Sequence, residues 1–284
     1  MKFANPKNDV AFKKIFGDEN KTEILISLLN SILDFKDGKE IVSVSLANPY
    51  QVPKIEELKQ TILDVKAVNR DGEHFIVEMQ NKDLGDFAKR SLYYTSKAYV
   101  SQINRGEDYI NLQKVYFIGI LNFNMFSGDN YTSRHLILNK ETFVQEIADF
   151  EFAFIELTKF NKGLTECTSV LDKWIYFIKN AETLDIVPPE FKDSVILEAF
   201  EIAKQSAWDK KELEVYDYIA LKEMDERNMI TTAEKKGQLK ERAKNIAEKY
   251  KMINNMKSKG LTVEEISDYT GMSIEDIETF GLDL

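Results

Sequence analysis

Leu63-Asp64-Val65-Lys66-Ala67-Val68-Asn69-Arg70-Asp71-Gly72-Glu73-His74-Phe75-Ile76-Val77-Glu78-Met79-Gln80 carries β-type apolar runs on either side of a turn. The pattern predicts an antiparallel hairpin with strands over 61–69 and 73–81. Arg70-Asp71-Gly72 suits a three-residue connection, a type I turn followed by glycine in the left-handed region. Asn69 then pairs with Glu73, and Asp64 stands directly opposite Glu78. Opposed residues point to one face with Cβ atoms about 4.5–5.5 Å apart. Alternation brings Gln80 and Lys66 to that face as well. A two-residue Asp71-Gly72 turn would shift the pairing by one and send the two acids to opposite faces.

Two carboxylates this close, in partly apolar surroundings, repel one another and push one pKa upward unless a cation lies between them. Mg²⁺ prefers oxygen ligands and often uses one or two carboxylates, with waters and substrate phosphate completing its shell. Such an ion lowers the pKa of a bound water and stabilises charge on a phosphate under attack. Gln80 can orient water but is neutral, so Lys66 or Lys82, both of the right parity, are candidates for the missing positive group. A polar residue between apolar ones is more often the solvent face of a strand, and spacing leaves both readings open.

Around the hairpin the chain alternates helix and strand. Asn8-Asp9 precede an apolar spacing of helical type, Val10, Phe12, Ile15 and Phe16, stopped by Gly17. Residues 21–33 predict a second helix, and Ile41–Leu46 a first strand. After the hairpin, 87–103 predicts a long helix with Arg90, Tyr93 and Tyr94, and 114–121 (KVYFIGIL) a strand buried on both faces. Further strands are expected over 131–138 and 150–158, and a helix over 170–180. Helix, three strands, helix, strand is an α/β core.

The composition narrows the function. The net charge of −10 argues against a protein that coats nucleic acid through bulk positive charge. Two histidines argue against multi-histidine metal sites and most histidine triads, which leaves carboxylates to carry any chemistry. A single cysteine, Cys167, rules out an internal disulfide framework and fits a reducing cytoplasm. No run approaches the roughly 18–20 apolar residues of a membrane span, and the N-terminal stretch lacks the features of a signal peptide. No membrane contact and a cytoplasmic setting are therefore expected.

The chain resembles the PD-(D/E)XK nuclease family transposases, or recombination-promoting nucleases. The resemblance runs through NDVAFKKIFG, LDVKAVNRDGEHFIVEMQ, FAKRSLYYTSKAYVSQI, FAFIELTKFNK, DKWIYFIKNAE and KSKGLTVEEISDYTGMSIEDI. It implies a restriction-endonuclease-like core and a Mg²⁺- or Mn²⁺-dependent DNA endonuclease linked to recombination or mobile elements. On the matching positions Asp64 and Glu78 would be metal ligands. Gln80 would take the water-positioning place where the superfamily usually has lysine. Asp9 is the choice for the superfamily's first-helix acid, with Glu23 second, although Asp9 also suits a helix N-cap. Arg90 could bind phosphate and Tyr94 could stack on a base or sugar, or the tyrosines could pack the helix on the sheet. Asn8 and Lys13 are weaker candidates of the same kind. Neutral Gln80 and the acidic balance favour the rival, a decayed nuclease fold that binds DNA or self-associates.

Residues 231–260 hold nine Lys or Arg against three Glu, whereas 261–284 hold seven acids and no base. This sign change predicts three segments: a nuclease-like core over 1–182, a helical extension with a basic helix over 183–250, and a helix-turn-helix-like module over 251–284. The second short helix of that module begins Ser-Ile-Glu-Asp, which phosphate would repel. A packing or self-association role is expected instead, since Ile266, Tyr269, Ile274, Ile277 and Phe280 form an apolar set too small for an independent core. The basic helix, with Lys235, Lys236, Lys240, Arg242 and Lys244, is the better candidate for DNA contact, although a solvated charged face is the more common explanation of such a run.

Overall fold

The computed structural model describes residues 2–35, 38–48, 50–51, 61–191 and 194–279. Two amphipathic helices, α1 (Asp9–Phe16) and α2 (Thr22–Leu33), open the chain. The N-cap of α1 is Asn8, whose Oδ1 accepts the Val10 N–H at 3.0 Å. Asp9 is therefore the first helical residue and not the cap, because the chain turns one residue earlier than its carboxylate would need.

Strands β1 (Val44–Leu46), β2 (Tyr50–Gln51) and β3 (Thr61–Ile62) precede the hairpin strands β4 (Val65–Asn69) and β5 (His74–Gln80). Helix α3 (Phe87–Val100) crosses over to β6 (Val115–Leu121), and β7 (Thr132–Leu136) and β8 (Phe150–Glu156) complete the strands. A six-stranded mixed sheet has the order β1-β4-β5-β6-β8-β7. Its β1-β4-β5 half is antiparallel, β5, β6 and β8 run parallel, and β7 lies antiparallel to β8 at the edge. All seven residues of β6 are buried, as a central strand covered on both faces requires.

The expected continuous strand over 61–69 is interrupted. Thr61–Ile62 pairs with Tyr50–Gln51 in a separate two-stranded ladder, and pairing with β5 starts only at Val65. Leu63 and Asp64 form the break. A physical cause is at hand: the Met79 N–H, which a regular ladder would give to a backbone carbonyl, donates to Asp64 Oδ2 at 2.8 Å.

The two faces of the sheet are covered differently. Val65, Ala67, Phe75, Val77 and Met79 join the large core formed with α1, α2, α4 (Val170–Asn180) and α5 (Ser194–Ala203). Ile76, Phe117, Leu121 and Phe154 pack with Phe87 and Ala98 of α3. Gly119 belongs to this second face, where an added Cβ would stand 2.7 Å from Phe154 Cδ1 and 3.2 Å from Phe87 Cε1.

The chain divides into two compact units, Met1–Ile219 and Ala220–Leu284. Phe191, α5, Trp208 and Tyr216 all belong to the core of the first. Helix α6 (Lys210–Ser258) begins in the first unit and continues into the second, where α7 (Val263–Thr270) and α8 (Ile274–Thr279) follow. Thr262 and Glu265 form a capping box at the start of α7, and Gly271 ends it with φ 66°. Ile253 of α6 packs with Ile266 and Ile277. Tyr269 and Ile274, expected in that apolar set, are 76% and 44% exposed, because the end of α6 supplies the third buried side chain. Phe280 lies outside the described residues. No helix among the described residues is long and apolar enough to cross a membrane.

Candidate active site

The hairpin register decides where the acids stand. Val65 pairs with Val77, Lys66 with Ile76, Ala67 with Phe75 and Val68 with His74. Asn69 N–H donates to the Glu73 carbonyl at 3.1 Å, and Gly72 has φ 79°. The connection is thus the three-residue Arg70-Asp71-Gly72 loop with glycine in the left-handed region. Carried one step past Val65, the register sets Asp64 across from Glu78.

The two side chains lock that end of the hairpin. Asp64 N–H donates to Glu78 Oε1 at 3.2 Å, while Asp64 Oδ2 takes the Met79 N–H. Each carboxylate accepts a backbone N–H from the opposite strand. Glu78 is only 4% exposed and the Asp64 side chain 11%. Gly119 is the β6 neighbour of Glu78, so no side chain at that position crowds its carboxylate.

Burial, and then the Asp64 charge, push the Glu78 carboxyl well above the usual carboxylate range. Burial also raises Asp64; Lys13 opposes this and Asp9 adds to it. Lys13 Nζ lies 3.2 Å from Asp64 Oδ1. Asp9 stands one turn before Lys13 on α1, exposed, with its charge felt at Asp64. Glu23 is exposed in the first turn of α2.

Gln80 is held at both ends of its amide: Oε1 accepts from Arg90 Nη2 at 3.3 Å, and Nε2 donates to the Lys82 carbonyl at 3.1 Å. Arg90 also donates from Nε to Tyr94 Oη at 3.3 Å and stacks its guanidinium over the rings of Phe87 and Tyr94. Tyr94 is half-buried against the α3 core, and Tyr93 is exposed beside it. Lys66 is half-buried without an ion-pair partner among the described residues, and burial lowers its pKa. Its charge is felt at His74, whose pKa burial lowers first and Lys66 second. Lys13, a weaker candidate in the sequence than Lys66 or Lys82, is the lysine that pairs with Asp64. Its four-residue spacing from Asp9 puts the two on one face of α1 but carries no sign of Asp64.

Among the described residues no three His, Cys, Asp or Glu side chains converge as a metal-holding group. Asp64 and Glu78 alone nevertheless fit a hard divalent ion. Both are oxygen donors whose charged forms are disfavoured by burial and mutual repulsion, and a 2+ charge would relieve both. Asp64 Oδ1 and Glu78 Oε2 are the oxygens that no described backbone N–H occupies.

A mixed α/β sheet with paired buried carboxylates at the end of a hairpin defines the class, a protein consistent with a PD-(D/E)XK-like fold. Within it, the chain belongs to the PD-(D/E)XK nuclease family transposases, whose family model matches residues 6–233. No curated protein and no solved structure matches it.

Proposed function

We propose that the protein hydrolyses phosphodiester bonds in DNA with Mg²⁺ or Mn²⁺ held by Asp64 and Glu78. The observation that carries this is the cross-braced pair of buried acids, each fixed by a backbone N–H of the other strand. When bound, the ion supplies an acidified water and charge neutralisation at the phosphate. Asp64 and Glu78 would hold it, and the burial of both side chains would limit competition from bulk water. Gln80 presents an amide whose orientation is set by Arg90 and the Lys82 carbonyl. Arg90 has further N–H groups for a phosphate oxygen, and Tyr94 fixes the guanidinium plane. Asp9 adds negative charge at the rim of the site. Lys66 and Lys82 are contacts for the nucleic-acid backbone on this reading. A cytoplasmic role in recombination or mobile-element biology, and self-association through exposed Tyr269 and Ile274, belong to the same proposal.

Supercoiled plasmid incubated with Mg²⁺ or Mn²⁺ should be nicked by the wild type and not by Asp64→Ala or Glu78→Ala. Equal nicking by the double variant would reveal a contaminant and sink the assignment. Single-stranded DNA, double-stranded DNA and RNA substrates assign the polymer. A second reading, a nucleic-acid-binding protein without catalysis, draws on neutral Gln80 and on Asp64 already paired with Lys13. DNA binding without cleavage, unaffected by either substitution, would favour it.

A further inference from the structure

The acidic pair has a cation of its own. Lys13 projects from the last turn of α1, and its Nζ lies 3.2 Å from Asp64 Oδ1. The partners differ in exposure, with 11% of the Asp64 side chain accessible against 42% of Lys13. A partly exposed lysine therefore rests on a largely buried acid. Asp64 Oδ2 is taken by the Met79 N–H, so Oδ1 is the oxygen left to face a cation, and Lys13 is on it.

A divalent ion such as Mg²⁺ binds carboxylate oxygen at about 2.0–2.1 Å. An ammonium on the same oxygen would crowd a second positive charge against it, so the two are alternatives. The other nearby cations are placed differently. Arg90, whose charge is felt at Glu78, is held by Gln80 and Asp86, and the Lys66 charge is felt at His74. Lysine suits exchange, being a compact charge on a flexible four-carbon stem rather than a planar fork.

We propose that Lys13 is an exchangeable counter-ion of the site: it occupies Asp64 Oδ1 in the metal-free protein and moves to a substrate phosphate oxygen once a divalent cation takes the Asp64–Glu78 pair. It thereby provides the positive charge that Gln80 lacks. Lys13 is a competitor for the ion and a positioning residue for the phosphate. This inference rests on the metal-site reading above.

The experiment uses the full chain as wild type, Lys13→Met, Lys13→Arg and Asp64→Asn. Mn²⁺ affinity is measured by calorimetric titration without DNA, and plasmid nicking at saturating Mn²⁺. Lys13→Met should bind Mn²⁺ roughly tenfold more tightly, about 1.4 kcal/mol. It should nick roughly 100-fold more slowly, the scale of removing one electrostatic partner of a reacting group. Lys13→Arg should restore most of the rate. Because the Lys13 side chain is 42% accessible and outside the core, the unfolding temperature of Lys13→Met should show an intact fold. Unchanged or weaker Mn²⁺ binding by Lys13→Met, or wild-type nicking by it, overturns the proposal. If Asp64→Asn is then inactive, the nuclease reading survives that failure. Absence of Mn²⁺ binding by the wild type would remove both.

Discussion

Glu78 shows how a single residue can trade stability for chemistry. It lies 4% exposed, and burial together with the Asp64 charge raises its pKa well above the ordinary 4.5. An acid whose folded pKa is raised leaves stability intact below its unfolded pKa and removes it as pH rises toward the folded value. The metal-free protein should thus carry this loss at neutral and mildly alkaline pH. Glu78→Gln keeps an oxygen for the Asp64 N–H but cannot ionise. Its unfolding temperature without metal should exceed the wild type's at pH 8, with the gap closing toward pH 4. Each ~1 kcal/mol corresponds to roughly 2–4 °C in a protein of this size. Equal melting at pH 8 would show that Glu78 is not strained by its charge. Mn²⁺ should raise the wild-type midpoint and leave the variant's unchanged.

The same residues show what sequence could convey at this scale. Asp64, Glu78 and Gln80 were legible because alternation and one turn type fix their mutual positions. The approach of Lys13 was not, since it depends on how α1 packs against a strand some fifty residues later. Neither was the carboxylate bond that interrupts the strand at Asp64.

At the scale of elements, the hairpin was readable because Gly72 in the left-handed region and the loop length together set the register. The strand order beyond β6 was not. Nothing local to 132–136 says that it takes the sheet edge while the later β8 lies inside. Gly119 ties the two levels together, since it pairs with Glu78 and lets Phe154 and Phe87 close over the sheet. Gly119→Ala would place a methyl 2.7 Å from Phe154 Cδ1, in a core with no room to shift it cheaply. The expected cost is about 1–3 kcal/mol, read as a fall in unfolding temperature. Mn²⁺ affinity should fall with it, because the added methyl stands beside Glu78 in the β5–β6 pairing. Wild-type stability in Gly119→Ala would mean that the aromatic ring gives way freely.

For the whole molecule, charge is distributed by segment. Asp64, Glu78, Gln80, Arg90 and Lys13 all lie in the unit Met1–Ile219, while the basic run of α6 lies in Ala220–Leu284. Sign alternation along the chain was plain in the sequence. The membership of α5, Trp208 and Tyr216 in the first unit's core is a tertiary fact that composition does not carry. If Lys235, Lys236, Lys240, Arg242 and Lys244 bind DNA, replacing all five by Gln should weaken binding to every sequence alike. It should also flatten the dependence of log affinity on log salt by up to about 0.9 for each phosphate that is no longer neutralised. Mn²⁺ affinity at Asp64 and Glu78 should stay at the wild-type value, because neither ligand nor Lys13 is altered. A binding titration of duplex DNA across salt concentrations reads the slope. An unchanged slope in the five-fold variant would assign the run to solvent and leave DNA attachment to Arg90, Lys66 and Lys82 in the first unit.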